Sequence, residues 1–185
     1  MKTVAILVFL SLGVVTSTLT PSDYVQIHND YRRNVSPSAA NMTTLKWSWE
    51  LANIAQNWAS KCSFGHNPQR SNESPTFTYV GENIFSSWGY TASASDVVGS
   101  WAAESSDYNY QSNSCSGVCG HYTQVVWAKT EYVGCAESPD CSGWTTVVCN
   151  YGTAGNFNNE RPYVSGATCS QCPGGYTCVN GLCTN

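Results

Sequence analysis

An α+β fold, with helices packed on an antiparallel sheet, is predicted by three features of the sequence. Apolar residues recur at helical spacing through the first hundred residues, runs of strand character follow after residue 130, and the chain ends in Cys, Gly and Pro punctuation. Helices first and strands later argues against a wound βαβ array. The 185 residues suit one domain, and the end after Tyr163 is too small for a core of its own, so a disulfide-stapled appendage is expected there.

Taken in order, Met1-Lys2-Thr3 gives a positive start, residues 4–15 are apolar, and Thr16, Ser17 and Thr18 make a small-residue exit. The apolar run is shorter than the roughly 20 residues that span a bilayer. Residues 1–18 are therefore expected to be a secretory signal peptide, and no transmembrane segment is expected after it. Thr20-Pro21-Ser22-Asp23 then supplies a capping hydroxyl, a first-turn proline and an acidic group at the positive end of a helix dipole. Tyr24, Ile27, His28 and Tyr31 fall on one face of that helix, which should end near Asn34. A second helix follows from Leu51, Ala52, Ile54, Ala55, Trp58, Ala59 and Cys62, an apolar stripe so wide that it should be clamped between other elements. Ser95-Asp96 reads as the cap of a third, whose Val97, Val98, Trp101 and Glu104 share a face. Residues 132–137 and 144–151 read as strands, joined by the turn-rich Ser138-Pro139-Asp140-Cys141-Ser142-Gly143 into a hairpin.

Composition narrows the function. Charged residues are 11% of the chain, against roughly 25% in an average soluble domain. Lys and Arg number 8 against 12 Asp and Glu, for a net charge of −4, which gives no electrostatic footprint for nucleic acid. Eleven Tyr and seven Trp supply large surfaces to bury, unlike a charge-rich disordered chain. Ten Cys in a secreted chain favour five disulfides. On spacing alone, Cys169-x2-Cys172 with Cys178-x4-Cys183 is also compatible with a four-thiolate zinc site. Sequons at Asn34, Asn41 and Asn72 agree with secretion and are expected to be glycosylated on exposed loops.

Gly120-His121-Tyr122-Thr123-Gln124-Val125-Val126-Trp127, with Cys149-Asn150-Tyr151-Gly152-Thr153-Ala154-Gly155-Asn156-Phe157 and Arg161-Pro162-Tyr163, resembles the two signature blocks of the CAP superfamily. That superfamily joins cysteine-rich secretory proteins, insect antigen-five allergens and plant pathogenesis-related proteins of the first group. Gly81-Glu82-Asn83-Ile84 is similar to a third family block and His28-Asn29-x-x-Arg32 to the opening helix, so the resemblance covers about residues 20 to 163. It implies a three-layer α-β-α sandwich over residues 19–164. It also implies the pairs Cys62–Cys141, Cys115–Cys119 and Cys135–Cys149. The tail, residues 165–185, is similar to the hinge of cysteine-rich secretory proteins, which implies Cys169–Cys178 and Cys172–Cys183.

The same resemblance places two His and two Glu in a central cleft, and residue by residue these match His66, Glu82, Glu104 and His121. Two neutral imidazoles can ligate zinc while carboxylates hold their far N–H groups. Zinc on His66 and His121 is thus an expected optional ligand, with no cofactor required. The four residues can also form a buried hydrogen-bond network tying helices to sheet, joined by Tyr122 and Gln124. His28, on the apolar face of the first helix, is expected to be structural.

Two activities compete for such a cleft. A secreted hydrolase, a protease, would use His66 or His121 as a base, or zinc to activate water. Yet no Gly-x-Ser-x-Gly elbow or His-Glu-x-x-His appears, and every Cys has a partner by the pairing above. Binding is the favoured reading. Residues 77–90 carry five aromatics and few charges, which suits an apolar groove or loop rim, with core packing as the competing role. The resemblance implies sterol or fatty-acid binding, assigned here to Phe85, Trp88 and Tyr90, although Val80 stands where one spacing of the family's aromatic motif has an aromatic. An extracellular protein partner in defence or signalling is the other expectation.

Overall fold

The computed structural model describes residues 20–185, so the expected signal peptide lies outside the described residues. Helix α1 (Pro21–Arg33) starts at Thr20, whose side chain accepts from the Asp23 N–H while the Asp23 carboxylate accepts from the Thr20 N–H. After the short strand β1 (Lys46–Trp47), α2 (Trp49–Ala59) is capped by the Ser48 hydroxyl. Strand β2 (Val80–Trp88) follows, then α3 (Ala94–Ala103). The cap of α3 is Ser93, two residues before the Ser95 read from sequence. Asp96 sits at the third helical position and closes a capping box back to Ser93, so it belongs inside the helix.

A 3-10 turn at Glu104–Asp107 leads to the small ribbon β3 (Tyr108–Asn109) and β4 (Ser114–Cys115), and then to the short helix α4 (Gly120–Val125). Strands β5 (Tyr132–Glu137) and β6 (Trp144–Gly152) form the expected hairpin, with Cys135 opposite Cys149. The main sheet runs β1-β5-β6-β2, with β1 parallel to β5 and the other pairs antiparallel. Strand β2 is therefore an edge, although its nine residues lie between helices in sequence and break the expected order of helices before strands.

Strand alternation divides the core into two faces. Val147, Cys149, Tyr151 and the half-buried Phe85 pack with Trp101, Val97, Val98 and Val125 from α3 and α4 and with Tyr24 from α1. On the other face, Val148 and Ile84 pack with Ala55, Ala59 and Trp58 of α2. The result is three layers: α2, the sheet, and α1 with α3 and α4. The wide apolar stripe of α2 is explained by its seat on β5 and β6, with Leu51 and Ala55 fully buried.

Arg32, fully buried, joins α1 to the rest. It donates to the carbonyls of Thr43 (2.7 and 3.0 Å), Val125 (3.0 Å), Trp127 (2.8 Å) and Thr130 (3.0 Å). The oxygens include those at the C-terminal end of α4, whose dipole is negative there, so the charge is matched by backbone.

All ten cysteines are paired: Cys62–Cys141, Cys115–Cys119, Cys135–Cys149, Cys169–Cys178 and Cys172–Cys183, the pairing the resemblance implies. The tail carries the ribbon β7 (Thr177–Val179) and β8 (Leu182–Thr184). It lies along residues 38–44 through Gly166 N–H to Ser38 O, Gln171 N–H to Ala40 O, Cys183 N–H to Met42 O and Thr44 N–H to Cys183 O, all within 2.9 Å.

Candidate functional site

Two carboxylate–imidazole pairs flank the edge strand β2. Glu82, on the face of β2 that looks toward α2, has no solvent-exposed side-chain surface. Its Oε1 accepts from His66 Nδ1 at 2.8 Å and from the Asn67 N–H at 2.9 Å. The Asn150 amide, oriented so that its oxygen accepts from the Ala55 N–H (3.1 Å), donates to Glu82 Oε2 at 3.2 Å. Glu82 is thus fixed by three donors, while the His66 side chain stays 57% exposed.

The second pair is built by a helix terminus. Glu104 follows the last turn of α3, and its Oε2 accepts from the N–H groups of His121 (2.9 Å) and Tyr122 (3.3 Å) at the start of α4. Helix α4 has no side-chain cap from its own N-cap residue, so Glu104 supplies one from across the chain. The other oxygen, Oε1, accepts from His121 Nδ1 at 2.6 Å. The imidazole also stacks on Trp101, ring centroids 6.2 Å apart and 16° from parallel.

In both pairs the carboxylate accepts from Nδ1, so in the neutral form of the ring the lone pair lies on Nε2. That is the arrangement of a metal-ligating histidine with its carboxylate partner, and the donor set fits zinc. Each imidazole offers one such nitrogen, and among the described residues no hydrogen bond joins the His66–Glu82 pair to the His121–Glu104 pair. Among the described residues, the cluster of three or more potential ligands within 4.8 Å of one another is Cys169, Cys172 and Cys183. Their sulfurs are all in disulfides, which rules out the thiolate zinc site for this tail.

Asn83 is a further site residue, present in the sequence block but given no role by the sequence reading. Its Nδ2 donates to the His121 carbonyl (3.1 Å) and to the Tyr151 hydroxyl (3.2 Å). Tyr151 in turn donates to Nε2 of the buried His28 at 2.9 Å, whose Nδ1 donates to the Tyr24 carbonyl at 2.7 Å. Gln124 lies apart from the pairs: its Oε1 accepts from the Gly155 N–H (2.8 Å) and its Nε2 donates to Thr130 Oγ1 (3.3 Å). Tyr122 packs on Tyr108 and meets the site through its backbone N–H to Glu104.

The aromatic segment is dispersed. Phe77 contacts Tyr132, Tyr79 contacts Phe157, and Phe85 faces the core. Trp88 projects from the opposite face of β2 to Phe85 and is 60% exposed, beside Trp144 (centroids 5.1 Å). Phe64 meets the same Trp144 at 5.5 Å, so Phe64, Trp88 and Trp144 form an exposed aromatic patch next to the Cys62–Cys141 bridge. Tyr90, just past the turn at Gly89, is also exposed. Of the sequons, Asn34 and Asn72 are exposed, whereas Asn41 is half-buried and accepts from the Val164 N–H.

The fold is a disulfide-stapled α-β-α sandwich domain with two carboxylate–histidine pairs flanking the edge strand β2. The family model described as CAP, cysteine-rich secretory protein family, matches residues 25–151. The chain belongs to that family. It is 40% identical over 194 residues to glioma pathogenesis-related protein 1 of Mus musculus, covering 98% of this chain and 75% of that one. It is 46% identical over 167 residues to GLIPR1-like protein 1 of the same species (86% and 70%), and 40% identical over 185 residues to cysteine-rich secretory protein 3 of Equus caballus (96% and 73%). Among solved structures it is similar to NaASP2 with Zn2+, with TM-score 0.74 and 30% identity over 88% of this chain and 94% of that one. Among the described residues no helix is long and apolar enough to cross a membrane.

Proposed function

We propose that this is a secreted CAP-domain protein that acts by binding, with a sterol or fatty acid as its ligand class and zinc as an optional ion on His66 and His121. The observation that carries the reading is the state of the two imidazoles. Each has Nδ1 engaged by a carboxylate, and among the described residues neither ring hydrogen-bonds a hydroxyl or thiol that it could activate. The groups are built to present lone pairs. The solved relative with Zn2+ supports the ion, and the exposed patch of Trp88, Trp144 and Phe64, with Tyr90 nearby, supports contact with an apolar ligand. Phe85 serves the core behind that patch. Glycans on Asn34, Asn41 and Asn72 belong to the same secreted reading.

Titration of the purified protein with labelled cholesterol and with palmitate is expected to give saturable binding at micromolar concentration or tighter, weakened by Trp88→Ala. Calorimetry with zinc is expected to show binding that His121→Ala abolishes. No saturable binding of either lipid would overturn the lipid assignment. Peptidase activity lost in His121→Ala would instead make the protein a hydrolase.

A further inference from the structure

At the opposite edge of the sheet from β2 and its His–Glu pairs, residues of α1, β1, α2 and β5 line a cavity of about 450 Å3. Three aromatic rings line it. Tyr24 and Trp47 have centroids 6.5 Å apart and lie 27° from parallel, while Trp49 stands edge-on to Trp47 at 5.8 Å and 81°. Trp49, the first residue of α2, is 68% exposed, so this corner is open to solvent. Glu137, at the end of β5, also lines the cavity, and no Lys or Arg does.

Glu137 is the odd member. It is half-buried, and its carboxylate has no hydrogen bond or ion pair among the described residues; Gln56 Nε2 bonds its backbone oxygen at 3.2 Å. Burial pushes its carboxyl above the usual range. Glu137 and Tyr24 line the same cavity, and burial lifts the Tyr24 hydroxyl, with the Glu137 charge adding to the effect. Tyr24 Oη and Trp47 Nε1 are buried without partners. A half-buried, unpaired carboxylate in a pocket lined by three aromatic rings is unfavourable for anionic ligands and gains nothing from neutral apolar ones. A cation answers both features, by ion pairing and by attraction to the rings.

We propose that this cavity binds a quaternary alkylammonium group, the trimethylammonium of choline-type compounds. Quaternary ammonium carries no N–H, so the rings and the carboxylate recognise its charge and methyl surface without needing hydrogen bonds. The group could arrive as a free solute or as the headgroup of a phosphatidylcholine membrane.

The test is a titration of the full chain with tetramethylammonium and with choline, followed by tryptophan fluorescence and calorimetry, beside 3,3-dimethyl-1-butanol, the uncharged isostere of choline. Saturable binding is expected near or below about 1 mM, at least about tenfold tighter than the alcohol. Glu137→Gln and Trp49→Ala each alter partly exposed side chains and should fold; each should weaken the ion about tenfold or more. Co-sedimentation with phosphatidylcholine vesicles, inhibited by free tetramethylammonium, would assign the headgroup as source; ion binding without vesicle binding would assign a free solute. No saturable binding of tetramethylammonium overturns the proposal. So does equal affinity for the alcohol, or unchanged affinity in both variants.

Discussion

His28 shows how much one side chain decides. It is fully buried, and its Nδ1–H donates to the Tyr24 carbonyl, so the neutral ring must accept at Nε2 from Tyr151. Tyr151 also accepts from Asn83, which holds the His121 backbone, so the structural histidine supports the cleft at two removes. Burial lowers its pKa to about 4; the Tyr24 hydrogen bond opposes this, and the Arg32 charge adds to it. The unfolded chain takes up this proton below about pH 6.5, the folded one only below about 4. Stability from this group is therefore complete above about pH 6.5 and is lost progressively as pH falls through that window, by about 3 kcal/mol in all. Urea unfolding of the native protein and of His28→Gln at pH 7, 6, 5 and 4 should show a steeper loss in the native protein. Parallel curves would mean that His28 is not the acid-sensitive group.

At the scale of elements, contact between α2 and β5 is set by Gly134. A Cβ added there would lie 2.2 Å from the Ala52 nitrogen and 2.5 Å from the Ser48 oxygen, both backbone atoms of the start of α2. Gly134→Ala must push α2 off the sheet, so we expect a loss of about 3 kcal/mol, measured by chemical denaturation. The displacement should also disturb the seat of Ala55, whose N–H is held through Asn150 to Glu82. A variant as stable as the native protein would show that the layers separate freely. Elements differ in how well the sequence revealed them, and the reason is local. Strands β5 and β6 were legible because Val133, Val147 and Val148 give β-branched residues to a sheet buried on both faces, and α2 because its stripe is nearly continuous. Strand β2 was not, because Glu82, Asn83, Ser86 and Ser87 spend its positions on hydrogen bonds at the site and edge. Helix α4 was not, because it is six residues long and its cap, Glu104, lies sixteen residues before its first residue. The four cleft residues were legible only by resemblance, since spacings across 66 to 121 carry no local period.

At the scale of the whole molecule, the tail is part of the domain's core more than an attachment to it. Leu182 is 2% exposed and packs in the main cluster with Met42, Leu45 and Tyr163, and Cys183 is fully buried. Tyr176 donates to Glu131, and Arg33 donates to the Asn180 carbonyl, so contacts reach both α1 and the approach to β5. Two disulfides tie the tail only to itself, Cys169–Cys178 and Cys172–Cys183, so its hold on the domain is wholly noncovalent apart from the chain. A segment with so little core cannot stand alone, and its backbone bonds to residues 38–44 fix the same loop that receives Arg32 through Thr43. The tail and the domain should therefore unfold in one transition. Leu182→Ala is expected to cost about 3 kcal/mol and to lower the midpoint of that single transition by about 6–12 °C in calorimetry. An independent hinge would behave differently: the main transition would keep its midpoint, and a separate low-temperature step would appear. Proteolysis gives the same contrast, because an attached but independent tail would be trimmed from native protein at a rate that Leu182→Ala leaves unchanged, whereas a tail docked through Leu182 is trimmed faster in the variant.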